Sequence, residues 1–279
     1  MTQSGFLVLL TDFGLSDGYV GVMKGVIAQI NPAATVIDLT HQIPPQNIVL
    51  ARFALMTAYP YFPSGTVHVA VVDPGVGGSR RAIALAVGTD PAHPSAYLVG
   101  PDNGLFSGVL SQQPLIAAVE LTNSQYWRTP EPSFTFHGRD IFAPVGAYLA
   151  RGIPLEALGQ AIAPETLVQL AIPAIRIEKL DGRTSRIIGC IQATDHFGNL
   201  VTNIPEAQVG GKKWMVAVSN LTIPGKQTYS DSASGDWVAL VGSHGWVEIA
   251  INGGNAQAEL KVDWGQEVEV RVEDREEGC

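Results

Sequence analysis

Three carboxylates in this chain each follow a short apolar run and stand beside glycine: Thr11-Asp12-Phe13-Gly14, Asp73-Pro74-Gly75-Val76-Gly77-Gly78 and Pro101-Asp102-Asn103-Gly104. Taken singly, each reads as a turn, because aspartate hydrogen-bonds its own backbone and glycine accepts positive φ. Three at the strand ends of one sheet would instead converge on a single crevice and concentrate negative charge there. Arg80 stands seven residues after Asp73, close enough across a turn for a charge pair. Phe136-His137-Gly138-Arg139-Asp140 precedes a helical pattern. His137 then lies in a loop between charges of both signs, able to move a proton near neutral pH, and Asp140 is expected at the helix N-cap. The glycines at 75, 77 and 78 do not make a phosphate loop. No Gly-Lys-Ser/Thr follows them, and Arg80 stands where the dinucleotide spacing needs a third glycine.

Two later segments combine asparagine with tight turns. Asp195-His196-Phe197-Gly198-Asn199 runs into Leu200-Val201-Thr202-Asn203, and Ser243-His244-Gly245-Trp246 is followed by Asn252-Gly253-Gly254-Asn255. Both read as hairpin turns. Their amides could equally read a purine edge, since asparagine donates and accepts at once. His68 and His93, and His41 between Thr40 and Gln42, carry no catalytic expectation. Cys190 lies in an apolar run and reads as a buried thiol, Cys279 as the chain end, and two cysteines make neither a disulfide framework nor a zinc site. No His/Cys/carboxylate spacing matches a metal motif.

Such residues need strands and helices to hold them. Up to about residue 160, short β-type runs alternate with helical patterns, the signature of an α/β layered domain. Strands are expected at Phe6–Leu10, Thr35–Leu39, Thr66–Val72, Ala82–Val87, Ala96–Val99 and Leu115–Val119, and helices at Tyr19–Ile30, Ile48–Tyr59 and Ile141–Ala150. Val67, Val69, Val71 and Val72 lack clean alternation, which points to strands buried on both faces, as in parallel sheets. After Pro164–Pro173 the texture changes to short strands broken by Gly, Asn and Asp: Ile187–Ile191, Trp214–Val218, Trp237–Val241, Trp246–Ile251 and Glu267–Val272. That pattern predicts a small antiparallel barrel or sandwich. Pro173 and Asp181-Gly182 supply the breakers at the boundary, giving a first domain over 1–173 and a second over 183–279.

Of the 279 residues, 46% are hydrophobic and 15% charged, a balance that describes a compact folded protein rather than a disordered one. The net charge of -9 argues against nucleic acid as a partner, since phosphate binding needs clustered Lys and Arg, and favours a neutral or cationic ligand. No stretch approaches the roughly 20 apolar residues of a membrane span. Met1–Gly5 lacks the basic region of a secretory leader, so a cytoplasmic protein is expected. Glu273–Glu277 reads as a solvated acidic tail.

Taken in order, these segments resemble the S-adenosylmethionine hydrolase (adenosine-forming) family, the hydroxide-using relatives of the fluorinase and chlorinase. The matching stretches are Leu10–Gly14 with Asp17-Gly18-Tyr19, Val72–Gly77 with Arg80-Arg81, Gly100–Gly104, Phe136–Asp140, Phe197–Ile204 and Asn252–Ala256. The resemblance implies an α/β domain, a C-terminal β-barrel, and a homotrimer whose active sites lie between subunits. It implies a triad of Asp73, Arg80 and His137, with Asp12 on the ribose hydroxyls and Asp17, Gly18 and Tyr19 lining the site. Asn199 and the backbone around Ile251, Asn252 and Gly253 would face adenine, while Asp195 and Ser243 would take the methionine amine and carboxylate. The implied reaction is hydrolysis of S-adenosyl-L-methionine to adenosine and methionine by water attack at C5′, the sulfonium being substrate, with no cofactor and no metal. Halogenating relatives carry Tyr where Asp73 stands and Tyr-Ser where His137-Gly138 stands, so the halogenase is the rival within the class. A non-catalytic sensor of S-adenosylmethionine or adenosine is the rival outside it. One departure is His244, where the fluorinase has an arginine.

Overall fold

The computed structural model describes residues 5–180 and 184–273. Readings that fall on Met1–Ser4, on Asp181-Gly182, on the tail after Glu273 and on Cys279 lie outside the described residues. The chain divides into two compact units between Leu170 and Ala171.

The first unit opens with β1 (Phe6–Thr11), α1 (Tyr19–Ile30), β2 (Thr35–Thr40), α2 (Ile48–Ala58) and β3 (Thr66–Val71). It continues with β4 (Ala82–Val87), β5 (Ala96–Pro101), the short α3 (Ser107–Leu110), β6 (Leu115–Glu120), α4 (Ala143–Ala150) and the two-residue β7 (Gln160–Ala161). The strands form one sheet in the order β2-β1-β3-β5-β4-β6-β7. The pairs β1–β2, β1–β3 and β3–β5 are parallel, and β4–β5, β4–β6 and β6–β7 are antiparallel. Hence β1, β2, β3, β5 and β6 run one way and β4 and β7 against them, which makes the sheet mostly parallel with an antiparallel side.

Both faces of the sheet are covered. Met23 and Ile27 of α1 and Val145 and Leu149 of α4 pack with Leu7, Leu9, Val67 and Val69 on one side. Ala51 and Leu55 of α2 with Leu105 and Val109 pack on Leu10, Ala70 and Leu98 on the other. All six residues of β3 are therefore buried, as the run of valines without alternation predicted. Gly146 lets α4 lie close against the sheet, since a Cβ there would meet Val69 Cγ2 at 2.5 Å.

The helix expected over 141–150 starts earlier and differently. Gly138–Phe142 forms a π-helical turn with His137 at its N-cap, and α4 follows from Ala143. Asp140 is not the N-cap: it lies inside the π turn, wholly buried, where its carboxylate accepts from Arg139 Nε at 2.7 Å and from the Ser133 N–H at 2.9 Å. Burial alone would raise its pKa, but these hydrogen bonds outweigh burial and hold it below the ordinary carboxylate value.

The strand ladders of the second unit are all antiparallel, and it carries one short α-helix. It comprises β8 (Arg176–Lys179), β9 (Thr184–Thr194), β10 (Leu200–Pro205), β11 (Lys213–Val218), β12 (Leu221–Pro224), β13 (Trp237–Val241), β14 (Trp246–Ile251), α5 (Ala256–Leu260) and β15 (Glu267–Glu273). The order is β12-β11-β15-β9-β10-β14-β13, with β8 added to β9. A bridge between Gly225 and Ala239 joins the two edges, so the sheet curls into a nearly closed barrel around Ile191, Leu200, Val216, Ile249 and Val270. β10 escaped the period-2 reading because its register shifts against both neighbours, and because polar Thr202 and Asn203 are buried in it. Asn203 is satisfied there, accepting from Cys190 N–H at 2.8 Å and donating to the Pro173 carbonyl. Cys190 itself is buried, as expected. Among the described residues no helix is long and apolar enough to cross a membrane.

Candidate active site

The parallel pairing of β1 with β3 aligns Thr11 with Val71, so the turns that follow leave the sheet side by side at its carboxyl edge. Asp12 and Asp73 thereby share the wall of a cleft of about 330 Å³, and the segment Thr135–Gly138 closes it with His137. Gly77 allows the turn after Asp73 to meet that segment. Its φ of +75° suits glycine, and a Cβ would come within 2.2 Å of the Phe134 carbonyl oxygen.

Arg80 ties the cleft together. Its Nε donates to both oxygens of Asp73, at 2.9 and 3.0 Å, and its Nη2 donates to Asp73 Oδ2 and, at 2.6 Å, to His137 Nδ1. Both side chains of the ion pair are nearly buried, 11% and 5% exposed, and the guanidinium stacks 5.3 Å from the Phe142 ring centroid. A guanidinium can only donate. Nδ1 of His137 must therefore accept, and the neutral imidazole carries its hydrogen on Nε2. Burial, and then the Arg80 charge, lower the His137 pKa, and Asp73 and Asp140 only partly offset them. The set can hold a water between a carboxylate acceptor and an imidazole N–H donor.

Of the three strand-end carboxylates, only two meet. Asp102 is buried away from the cleft, paired with Arg81 through Nε at 2.9 Å and accepting the Val168 N–H at 2.9 Å, a structural role that fastens the 166–168 segment. Asp17 and Gly18 are exposed ahead of α1, Gly18 as its N-cap. Tyr19, half-exposed, packs edge-on to Phe136 with centroids 5.1 Å apart, and Phe13 completes the aromatic cluster beside the cleft. Sequence reasoning passed over Gln46, whose backbone N–H donates to Asp12 Oδ2 at 2.7 Å from a left-handed conformation with φ +66°. The Pro44-Pro45 pair before it was the available signal.

The remaining candidates belong to the barrel unit. Asp195 folds its own turn: Oδ1 accepts the N–H groups of Phe197 and Asn199, and Oδ2 accepts Asn199 Nδ2 at 2.9 Å. That commits the amide nitrogen of Asn199, which is buried, and fixes its carbonyl orientation. The register Leu200↔Ile249 brings Asn199 to the end of β14 where Ile251, Asn252 and Gly253 follow, and Asn252 Nδ2 donates there to the Ser232 carbonyl. Ser243 is exposed in the turn at the other end of β14. Beside it, His244 Nδ1 accepts the Trp246 N–H at 3.2 Å, which leaves the ring hydrogen on Nε2, 3.1 Å from Glu248 Oε2. Buried Glu248 also accepts the Tyr229 hydroxyl at 2.5 Å. Burial and then that contact push the Tyr229 hydroxyl well above its usual value. No group of His, Cys, Asp and Glu suited to a metal ion occurs among the described residues.

Comparison with known proteins accounts for both units. Residues 7–159 match the SAM hydroxide adenosyltransferase N-terminal domain and residues 189–269 its C-terminal domain. The chain is similar to the (R)-S-adenosyl-L-methionine hydrolase of Salinispora tropica, 41% identical over 97% of this chain and 99% of that protein. It is less similar to a fluorinase of Actinoplanes sp., 28% identical over 88% of this chain and 90% of the other. The crystal structure of an uncharacterized conserved protein from Thermotoga maritima superposes with a TM-score of 0.84 at 36% identity, covering 95% of this chain and 99% of that one.

Proposed function

The chain belongs to the SAM hydroxide adenosyltransferase family, and on that premise we propose that it hydrolyses S-adenosyl-L-methionine to adenosine and L-methionine, with water attacking C5′ of the ribose. The observation that carries the reading is the Asp73–Arg80–His137 array beside Asp12 in one cleft.

The chemistry follows from that array. As the water oxygen bonds to C5′, the C5′–S bond breaks and its electron pair stays on sulfur, which leaves as a neutral thioether and needs no general acid. The water must lose a proton. With its hydrogen on Nε2, neutral His137 donates to the water and is not free to take that proton, so the Asp73 carboxylate receives it. Arg80 orients both groups and stabilises hydroxide character. Positioning supplies the in-line geometry, and a carboxylate base adds roughly 10²- to 10⁴-fold. The carboxylate of Asp73 also repels a halide nucleophile, which disfavours the halogenase reading.

In this proposal Asp12 accepts the ribose hydroxyls, with Asp17, Gly18 and Tyr19 along the same wall. Asn199 and the backbone at Ile251, Asn252 and Gly253 face adenine, Asp195 takes the methionine amine, and Ser243 its carboxylate. His244 is held within the barrel, its Nδ1 accepting the Trp246 N–H and its Nε2 turned to Glu248, and in this reading the Ser243 hydroxyl and its turn recognise that carboxylate. The homotrimer in which a neighbouring subunit's barrel completes the site rests on the family resemblance, and exposed Leu15, Tyr19 and Phe134 leave apolar surface available for such a contact. Localisation to the cytoplasm, and action without cofactor or metal, belong to the same proposal.

The test is to incubate purified protein with S-adenosylmethionine, with and without chloride, and identify products by mass spectrometry. Adenosine and methionine in equal amounts are expected. Halogenated adenosine would make it a halogenase, and intact bound substrate a sensor.

A further inference from the structure

His41, the buried histidine behind the cleft, has no place in the mechanism above, yet it touches the Asp12 turn at two points. Its carbonyl accepts the Gly14 N–H at 2.8 Å, and its Nδ1 lies 2.8 Å from Thr11 Oγ1. Nε2 lies 3.0 Å from Asp38 Oδ1, a carboxylate held on its other oxygen by Lys24 Nζ at 2.6 Å. Nε2 makes no well-formed hydrogen bond to Asp38 across that distance; Nδ1 is the ring atom that engages the Thr11 side chain, accepting its hydroxyl hydrogen. Thr11 Oγ1 then has a lone pair for the Phe13 N–H, 3.2 Å away. Asp12 is thus bracketed on both sides in the chain. Five residues beyond His41, the same segment pins the carboxylate itself through the Gln46 N–H, from a left-handed backbone that a non-glycine residue adopts only at a cost.

We propose that His41 is a positioning residue for Asp12: through Thr11 it fixes the turn that aims the Asp12 carboxylate into the cleft, and so sets affinity for the ribose diol rather than the rate of the chemical step. The inference rests on the reading of Asp12 as the ribose contact.

The experiment compares His41→Leu, His41→Asn, Thr11→Val and the double variant Thr11→Val/His41→Leu with the wild type. The steady-state parameters and the affinities for adenosine and 2′,3′-dideoxyadenosine are measured in each. Leucine removes the Nδ1 acceptor, whereas the asparagine oxygen replaces it. His41→Leu is expected to raise KM about tenfold with kcat little changed, the size of loosening one hydrogen bond to a charged group. His41→Asn recovers most of that loss, Thr11→Val reproduces it, and the double variant is no worse than either single one. The preference for adenosine over the dideoxy compound shrinks by the same factor. Unchanged KM in His41→Leu, a loss confined to kcat, or additive effects in the double variant would overturn the proposal. If His41→Leu does not fold, Thr11→Val with His41→Asn carries the same comparison. A wild type that neither turns over S-adenosylmethionine nor binds adenosine would count against the proposed function instead. Hydrogen exchange at the Gln46 amide then decides the positioning claim by itself: faster exchange in Thr11→Val supports it, and unchanged exchange contradicts it.

Discussion

Arg80 donates to Nδ1 of His137 across 2.6 Å, and this one contact assigns the protons of the cleft. It fixes the imidazole as an Nε2–H donor and leaves the Asp73 carboxylate as the acceptor for a proton from water. Three consequences can be measured.

Replacing Arg80 with lysine keeps the charge but loses the planar fork that reaches Asp73 and His137 together. Arg80→Lys is expected to lower kcat by roughly 100-fold, the scale of losing one oriented electrostatic contact in a site. A kcat within a few-fold of wild type would show that the bridge between the two residues is dispensable.

Asp73→Ala would leave the Arg80 guanidinium nearly buried without its partner, a change that costs about 3–5 kcal/mol of stability and confuses the kinetics. Asp73→Asn preserves the shape and removes the base. We expect kcat to fall by about 10²- to 10⁴-fold, with adenosine affinity nearly unchanged in calorimetry. An equal loss of affinity would move Asp73 from the chemistry to binding.

The acid side of the rate profile should report His137. Burial and the Arg80 charge lower its pKa from 6.5, and protonation puts a hydrogen on Nδ1 where Arg80 must donate. The neutral form being active, kcat/KM should fall with decreasing pH through a midpoint below 6.5. A midpoint above 6.5 would contradict the assignment.

His68 gives a separate test, of stability. It lies in β3, with ring centroid 5.3 Å from that of Phe62, and both ring nitrogens are buried without hydrogen-bond partners. Burial lowers its pKa from 6.5 to about 4. Between those values the unfolded chain binds the proton and the folded chain does not, so stability rises with pH across the window and is lost as pH falls. The full effect is about 3 kcal/mol. His68→Leu should flatten urea-unfolding stability between pH 6.5 and 4, and an unchanged slope would show that His68 is not the group responsible.

Much of this was legible in the residues. The expected bounds of α1, β4, β13 and β14 agree with the structure, because apolar spacing was clean and Gly, Asn or Asp marked the ends. The Asp73–Arg80 pair was readable from a seven-residue turn. His137 entered through its charged neighbours, but its contact with Arg80, 57 residues away in sequence, could only come from the folded chain. Asp102 looked like Asp12 and Asp73 because strand-end turns share a local chemistry. Only the position of Arg81 reveals that its carboxylate is spent on a structural pair. The π turn hid for a related reason: Asp140 has the residue type of an N-cap, and its burial against Arg139 is a tertiary fact. Gln46 and His41 left almost no trace, since one acts through a backbone N–H and the other through a hydroxyl.

The most direct measurement is a single conversion of S-adenosylmethionine by the purified protein in oxygen-18 water, followed by mass spectrometry of both products. Water attack at C5′ requires one oxygen-18 atom in the 5′-hydroxyl of adenosine and none in methionine. Unlabelled adenosine, or label on the amino-acid fragment, would contradict the account.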